Sequence, residues 1–343
     1  MRRKLLIVIC WLTIALQLVA QNTAALIGIS DYQPGSGWRA INAHNDVELI
    51  KSKLSSSWKV IVLENESATR QGITQLLNEI TMTASPGDTV FIHFSCHGQQ
   101  MVPLNIDNNT EPDMLDEALV PYDTYKKWSL SYDGRNHLRD DDLSSYINLI
   151  RDKVGVNGMV IVSLDACHSD CMDKDGNPIN SDSTSVVYRG TADIFGDSTL
   201  ITASVKAKRY IRDTSTIASD NISEVVYISA CQTHSQNAEI VDSNGTGYGS
   251  LSYSIATALD SSSFSNITQF LDKVVVSMDS LVPYQTPGIR ASFSYTMPNL
   301  ESKTVQNNST ITQNNNGQSH HIGYILIAAF ALLAILIWRI KKK

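Results

Sequence analysis

Seven residues, Met159-Val160-Ile161-Val162-Ser163-Leu164-Asp165, constrain the fold of this chain more than any other stretch. The run is apolar and rich in β-branched side chains, which pack well on a pleated surface. A strand apolar on both faces must be covered above and below, as in the parallel sheet of an α/β protein. The run stops at Ala166 and the thiol of Cys167, followed by His168 and Ser169. A second run, Asp88 to Ser95, ends in Cys96-His97-Gly98. Open α/β sheets bind ligands beyond the carboxyl ends of their strands. If the two strands are parallel neighbours, His97 and Cys167 meet at one sheet edge, where an imidazole can activate a thiol.

The rest of the chain supplies the covering layers. Ala24 to Ile29 reads as a first strand and Trp58 to Leu63 as a second. Between them, Asn42 to Leu54 has helical spacing, with Ala43, Val47, Ile50 and Leu54 apolar. Ala68 to Ala84 repeats the pattern through Ile73, Leu76, Leu77 and Ile80, and Ser85-Pro86-Gly87-Asp88 stops it. Such β-α-β-α-β alternation implies right-handed crossovers and a parallel sheet. Further on, Asp140-Asp141-Asp142 opens a helix over Leu143 to Lys153, where acids suit the positive helix N-terminus. Val225 to Cys231 reads as a fifth strand, and Ser250 to Leu259 and Phe264 to Met278 as helices. Ala291 to Thr296 alternates like an edge strand. The loop Gly245 to Gly249 lacks the Lys-Ser/Thr of a phosphate-binding loop.

The two ends carry different signals. Residues 1–20 have a basic start, an apolar middle and a small residue at Ala20, the pattern of a secretory signal peptide. Residues 299–321 form a polar Asn/Gln/Ser/Thr-rich stalk. Ile322 to Trp338 holds no charge, and ~17 residues rising ~1.5 Å each span roughly 26 Å, enough for a bilayer crossing. We assign residues 322–340 to a transmembrane helix and 341–343, three lysines, to a cytoplasmic tail. These features predict a single-pass membrane protein whose main domain, residues 21–298, lies outside the cytoplasm, in a periplasm, at a cell surface or in a lumen. The chain has 34 acidic and 27 basic residues, and seven of the basic ones sit in the two acid-free ends. So acidic a body argues against nucleic acid as a partner; it suits a cationic substrate or serves only solubility.

Ser95-Cys96-His97-Gly98 and Asp165-Ala166-Cys167-His168-Ser169 resemble the two catalytic motifs of the caspase-like clan of cysteine peptidases, the peptidase C14 family. Asp165 and the trailing His168-Ser169 are closer to its metacaspase branch. The resemblance runs from about Ala24 to Tyr295. It implies a caspase-like three-layer sandwich, a mainly parallel six-stranded sheet flanked by helices, here with a C-terminal transmembrane helix added. It also implies a cysteine endopeptidase in which Cys167 is the nucleophile and His97 the base. The backbone N–H groups of Gly98 and Cys167 would form the oxyanion hole. By the same resemblance Asp46, Ser95 and Asp165 line the S1 pocket, and two carboxylates there would select protein or peptide substrates with Arg or Lys at P1.

The connection from 170 to 220 resembles the clan's inter-subunit linker, often cut during activation. Lys206, Lys208, Arg209 and Arg212 are its candidate cutting points if the enzyme prefers basic residues. The segment Gln232 to Glu239 resembles a Cys-x-x-x-Gln-x-Ala-x-Glu stretch of caspase-like proteins. The chemistry requires no cofactor. Calcium as an activator is implied by the family's acidic segments, matched here by Asp116, Asp140 and Asp141; helix capping is the other reading of the last two. Three rival readings stay open: a transamidase or ligase using the same thioester, a non-catalytic scaffold, and a zinc cluster of Cys96, His97, Cys167, His168 and Cys171.

Overall fold

The computed structural model describes residues 21–103, 115–167, 187–197, 222–231 and 237–300. Strand β1 (Asn22–Gly28) leads to helix α1 (Ala43–Lys53), strand β2 (Trp58–Glu64), helix α2 (Arg70–Thr83) and strand β3 (Thr89–Ser95). Three short strands follow, β4 (Gly98–Met101), β5 (Asp116–Leu119) and β6 (Leu138–Arg139), then helix α3 (Asp140–Val154) and strand β7 (Met159–Asp165). Strand β8 (Glu224–Ser229), the hairpin β9 (Glu239–Val241) and β10 (Gly247–Gly249), helices α4 (Ser250–Leu259) and α5 (Ile267–Leu281), and strand β11 (Gly288–Ala291) complete the described chain.

The central sheet has six strands in the order β11-β8-β7-β3-β1-β2. Every pair is parallel except β11 with β8. The alternation of apolar runs and helical spacings implied this parallel α/β arrangement, and the mainly parallel six-stranded sheet is the one the motif resemblance implied. Side chains alternate between the two faces, as the twofold strand period requires. Ile27, Ile92, Phe94, Val160 and Val162 meet α2 and α3 through Ile73, Leu77, Ile147 and Ile150. Leu26, Phe91, Ile161, Val226 and Ile228 meet α1, α4 and α5 through Val47, Ile50, Ile255, Leu271 and Val274. Each of these side chains is within 1% of full burial, a contribution of roughly 1.5–3 kcal/mol apiece before chain entropy is set against it.

Local chemistry sets the element ends. Thr69 caps α2, its hydroxyl oxygen accepting the Gly72 N–H at 3.0 Å. The turn before β3 is tied by Asp88, whose carboxylate accepts N–H groups from Ser85 (2.9 Å) and from Gln21 at the start of β1 (2.8 Å). Two sequence expectations need correction. The edge strand is Gly288–Ala291, ending where the expected one, 291–296, begins. Its register is set by pairing with β8, Ile289 opposite Ile228, rather than by the alternation beyond it. The helix expected over 264–278 is a 3₁₀ turn, Phe264–Asn266, followed by α5, because the Asn266 side chain accepts the Gln269 N–H and caps a new helix there. Among the described residues no helix is long and apolar enough to cross a membrane. The segments 1–20, 299–321 and 322–340, and the tail 341–343, lie outside the described residues apart from 299 and 300.

Candidate active site

Ser95 and Asp165 are register partners at the carboxyl ends of the neighbouring strands β3 and β7. The two strand exits therefore leave the sheet side by side. From one come Cys96, His97 and Gly98; from the other, Ala166 and Cys167. His97 is fixed by three contacts. Its backbone N–H donates to the Tyr32 hydroxyl at 2.9 Å. Its ring stacks on Trp38, with centroids 5.0 Å apart. Its Nε2–H donates to the Arg39 carbonyl at 3.0 Å. Nδ1 is buried and has no hydrogen-bond partner. Burial, chiefly, and the positive charges of Arg189 and Lys126 push this imidazole down to about 4, against the Arg39 carbonyl, which favours the charged form. The ring is therefore neutral at pH 7, with Nδ1 as its acceptor.

Cys167 is buried at the end of β7. Its Sγ lies 4.0 Å from Cys231 Sγ, at the exit of β8. None of the three described cysteines is in a disulfide. The Cys231 thiol is raised well above its ordinary value, by its contact with Cys167 and then by burial. Cys96 is fully buried and pushed up to about 12 by burial, which makes it an inert core residue.

The backbone N–H groups of Gly98 and Cys167 converge on one acceptor. Both donate to the carbonyl oxygen of Arg189, at 3.1 and 3.0 Å. The residue after it, Gly190, is pressed against the thiol-bearing residue: a Cβ built on Gly190 would lie 2.5 Å from the Cys167 carbonyl oxygen and 2.9 Å from Cys167 Cβ.

The side chain of Arg189 is fully buried in an acidic slot. Nη1 lies 2.7 Å from Asp46 Oδ2, 2.6 Å from Ser95 Oγ and 3.6 Å from Asp165 Oδ1. Nη2 lies 2.8 Å from Glu239 Oε1. So the three residues expected to line a cation pocket, Asp46, Ser95 and Asp165, do gather, and they gather around a guanidinium. Each carboxylate is held from behind. Asp46, in the first turn of α1, accepts the Gly249 N–H at 2.8 Å and the Ser95 hydroxyl at 2.7 Å. Asp165 accepts Asn237 Nδ2 at 2.7 Å and the Ser252 N–H at 2.7 Å. Glu239 accepts the Asn42 N–H at 2.8 Å.

Burial works to raise both aspartates. For Asp165 the Arg189 charge and the hydrogen bonds from Asn237 and Ser252 outweigh it and hold the carboxyl below its ordinary value. For Asp46 burial wins over Arg189, Asp165 adds to it, and the carboxyl rises to about 6. Gly249 makes room for the pair: a Cβ there would sit 2.1 Å from Asp165 Oδ2 and 2.6 Å from Arg189 Nη1.

Two members of this slot were not anticipated. Arg189 sits in a Ser/Asp/Thr-rich stretch that reads as an exposed loop, and no local pattern marks its burial. Glu239 closes the Gln232 to Glu239 segment, so its place near the site was legible but its contact with a guanidinium was not. His168, Cys171, Lys206, Lys208, Arg209 and Arg212 lie outside the described residues. Asp116 is ion-paired with Arg139, while Asp140 and Asp141 begin α3. Among the described residues no group of three His, Cys, Asp or Glu side chains is disposed to hold a metal ion, the three acids matched to calcium and the described part of the zinc set included.

A mainly parallel six-stranded sheet with a cysteine and a histidine at adjacent strand exits has the architecture of the caspase-like fold. The chain belongs to the caspase-domain family, whose model matches residues 21–308. Its curated relatives include Metacaspase-1 of Eremothecium gossypii, 25% identical over 164 residues (45% of this chain and 33% of the relative). Metacaspase-7 of Arabidopsis thaliana is 28% identical over 157 residues, 43% of this chain and 34% of the relative. The chain spans about a third of the length of these relatives. A solved structure of a Geobacter sulfurreducens protein aligns with a TM-score of 0.52 at 20% identity, over 80% of this chain and 95% of that one, and shares its fold.

Proposed function

We propose that the chain is a cysteine endopeptidase that cuts after Arg or Lys, with Cys167 as nucleophile and His97 as general base. The observation that carries this reading is the double use of Arg189. Its carbonyl oxygen accepts from Gly98 and Cys167 while its guanidinium fills the slot of Asp46, Asp165 and Glu239. A backbone carbonyl held by two N–H groups beside a thiol is what peptide-bond cleavage needs, because the same donors are in place for the oxyanion that follows attack.

In this reading His97 Nδ1 accepts the Cys167 thiol proton and later returns it to the leaving amine. Water then releases the acyl group. The slot supplies specificity: a cation entering three buried carboxylates forms charge-assisted hydrogen bonds, whereas an Asp side chain meets like charge. Reporter peptides ending in Arg, Lys or Asp, assayed with and without calcium beside a Cys167→Ala variant, test the assignment. Cleavage after Arg or Lys that the variant loses is expected. Faster cleavage after Asp, or full activity in the variant, refutes it. The sequences of 1–20 and 322–340 support membrane anchoring with the peptidase domain outside the cytoplasm, and protease protection in sealed vesicles tests that orientation.

A further inference from the structure

The exits of β7 and β8 bring two thiols together. Leu164 and Ser229 are register partners in these parallel strands, and the Ala230 N–H donates to the Leu164 carbonyl at 3.1 Å. Cys167 follows shortly after the one partner and Cys231 shortly after the other. Both backbones are tied. The Cys167 N–H donates to the Arg189 carbonyl at 3.0 Å. The Cys231 carbonyl accepts the Ser229 hydroxyl at 2.9 Å, and the Ala230 carbonyl accepts Gln285 Nε2 at 2.8 Å. The sulfurs are thereby held 4.0 Å apart, with the Cys231 S–H donating to Cys167 Sγ. A disulfide holds its sulfurs about 2 Å apart, so closing this gap takes a move of about 2 Å, within the reach of side-chain rotation. Cys231 is half-buried, so packing does not lock its side chain on every side.

We propose that Cys167 and Cys231 are a redox pair: hydrogen peroxide oxidises Cys167, and Cys231 resolves the product as a Cys167–Cys231 disulfide that stores the nucleophile in a recoverable form. The proposal rests on the peptidase reading above for the role of Cys167 and adds a modification site and its oxidant. Cys231 keeps its proton, being raised by its contact with Cys167 and by burial, so Cys167 is the thiol of the pair that ionises first and reacts first. Cys167 Sγ bonds to one peroxide oxygen and the O–O bond breaks. The thiol proton leaves with the departing hydroxide as water, and Cys167 is left as a sulfenic acid. Cys231 Sγ then bonds to Cys167 Sγ, the S–O bond breaks, and the Cys231 proton leaves with that hydroxide as a second water. The two thiols together give up an electron pair, which the peroxide takes. Because the resolving sulfur is already in contact, this step outruns the encounter with a second peroxide. Without a sulfur at position 231, a second peroxide converts the sulfenic acid to a sulfinic acid, which a thiol reductant does not reverse. Cys96 is no substitute, being fully buried and pushed up to about 12.

The test uses the full chain, made by cell-free translation under dithiothreitol, desalted and treated with hydrogen peroxide. Remaining thiols are alkylated and unreduced digests are mapped by mass spectrometry. Hydrolysis of an Arg reporter peptide is read before peroxide, after it, and after dithiothreitol is restored, each protein against its own starting activity. Wild type is expected to show a Cys167–Cys231 crosslink, to lose hydrolysis with peroxide and to regain most of it with dithiothreitol. Cys231→Ala should lose hydrolysis and regain little, with Cys167 carrying two added oxygens. Cys231→Ser should behave as Cys231→Ala does, and it covers the case in which the alanine variant fails to fold. Cys171→Ser, which removes the thiol nearest to Cys167 in sequence, should behave as wild type. Reporter hydrolysis by the reduced protein with no Cys167–Cys231 crosslink after peroxide overturns the proposal and spares the peptidase reading. So does a crosslink confined to Cys171, or equal recovery by wild type and both Cys231 variants. A Cys167–Cys231 crosslink in a protein whose reduced form hydrolyses no reporter supports the redox pair and overturns the peptidase reading. Neither crosslink nor hydrolysis overturns both.

Discussion

His97 Nε2 lies 3.0 Å from the carbonyl oxygen of Arg39, and this bond selects the ring nitrogen left for chemistry. With Nε2 carrying the hydrogen, Nδ1 is a buried acceptor. Arg39 thus acts through its backbone, holding the ring from behind while Trp38 stacks on it.

Replacing His97 with Gln is expected to keep the fold and lower kcat by about 10²–10⁴, the usual worth of a general base. KM for an Arg reporter should change little, because His97 is not in the cation slot. Steady-state kinetics on the two proteins check this, and an unchanged kcat would assign the proton transfer elsewhere.

Glu239 Oε1 contacts the bound guanidinium at 2.8 Å while lying far along the chain from Asp46 and Asp165. Hydrogen bonds to charged groups are worth about 1.5–3 kcal/mol. Glu239→Gln should therefore lower kcat/KM for Arg reporters by about ten- to a hundredfold. A loss carried by KM points to the slot; a loss shared equally by a neutral reporter points to general damage.

Gly249 has no spare space. Gly249→Ala places a methyl against Asp165 Oδ2 and Arg189 Nη1. Overpacking of this kind costs about 1–3 kcal/mol. The variant is expected to have a lower Tm and weaker binding of Arg reporters, measured by thermal melting and by KM. Unchanged values would mean that β10 moves away freely.

Three histidines are buried neutral: His93 and His97 are lowered to about 4 and His137 to about 3, in each case by burial first. Their unfolded values lie near ~6.5. The stability they contribute is therefore present above ~6.5 and is lost as pH falls towards ~4, because the unfolded chain binds protons that the folded one does not. The magnitude is of order 3 kcal/mol for each. Asp46, raised to about 6 by burial, opposes this below pH ~6, since protonation favours its folded form. Three groups outweigh one, so chemical denaturation at pH 7 and pH 5 should show a net loss at pH 5. A gain would mean that Asp46 dominates.

The strand exits and the helical layers were legible because they are local. Apolar runs such as Met159–Asp165 and spacings such as Ile73-Leu76-Leu77-Ile80 carry their burial in their own neighbours. The ends of β3 and β7 follow from those runs, and with them the positions of His97, Gly98 and Cys167. The acids also stood in recognisable motifs, at Asp46 and Asp165. The edge strand and the break before α5 were less legible, because pairing with β8 and the Asn266 cap decide them.

The contents of the acidic slot were not legible at all. Arg189 lies in a polar stretch whose composition suits an exposed loop, and a guanidinium is normally left in water. It is buried here because Asp46 from α1, Asp165 from β7 and Glu239 from β9 converge on it and replace its hydration. Those three carboxylates come from three separate elements that share no window of sequence. Amino-acid order alone determined the sheet, its covering helices and the reactive residues at its edge. Only the tertiary structure decided which cation fills the slot and which carbonyl the Gly98 and Cys167 N–H groups share, because long-range pairing exists only once distant segments have been brought together.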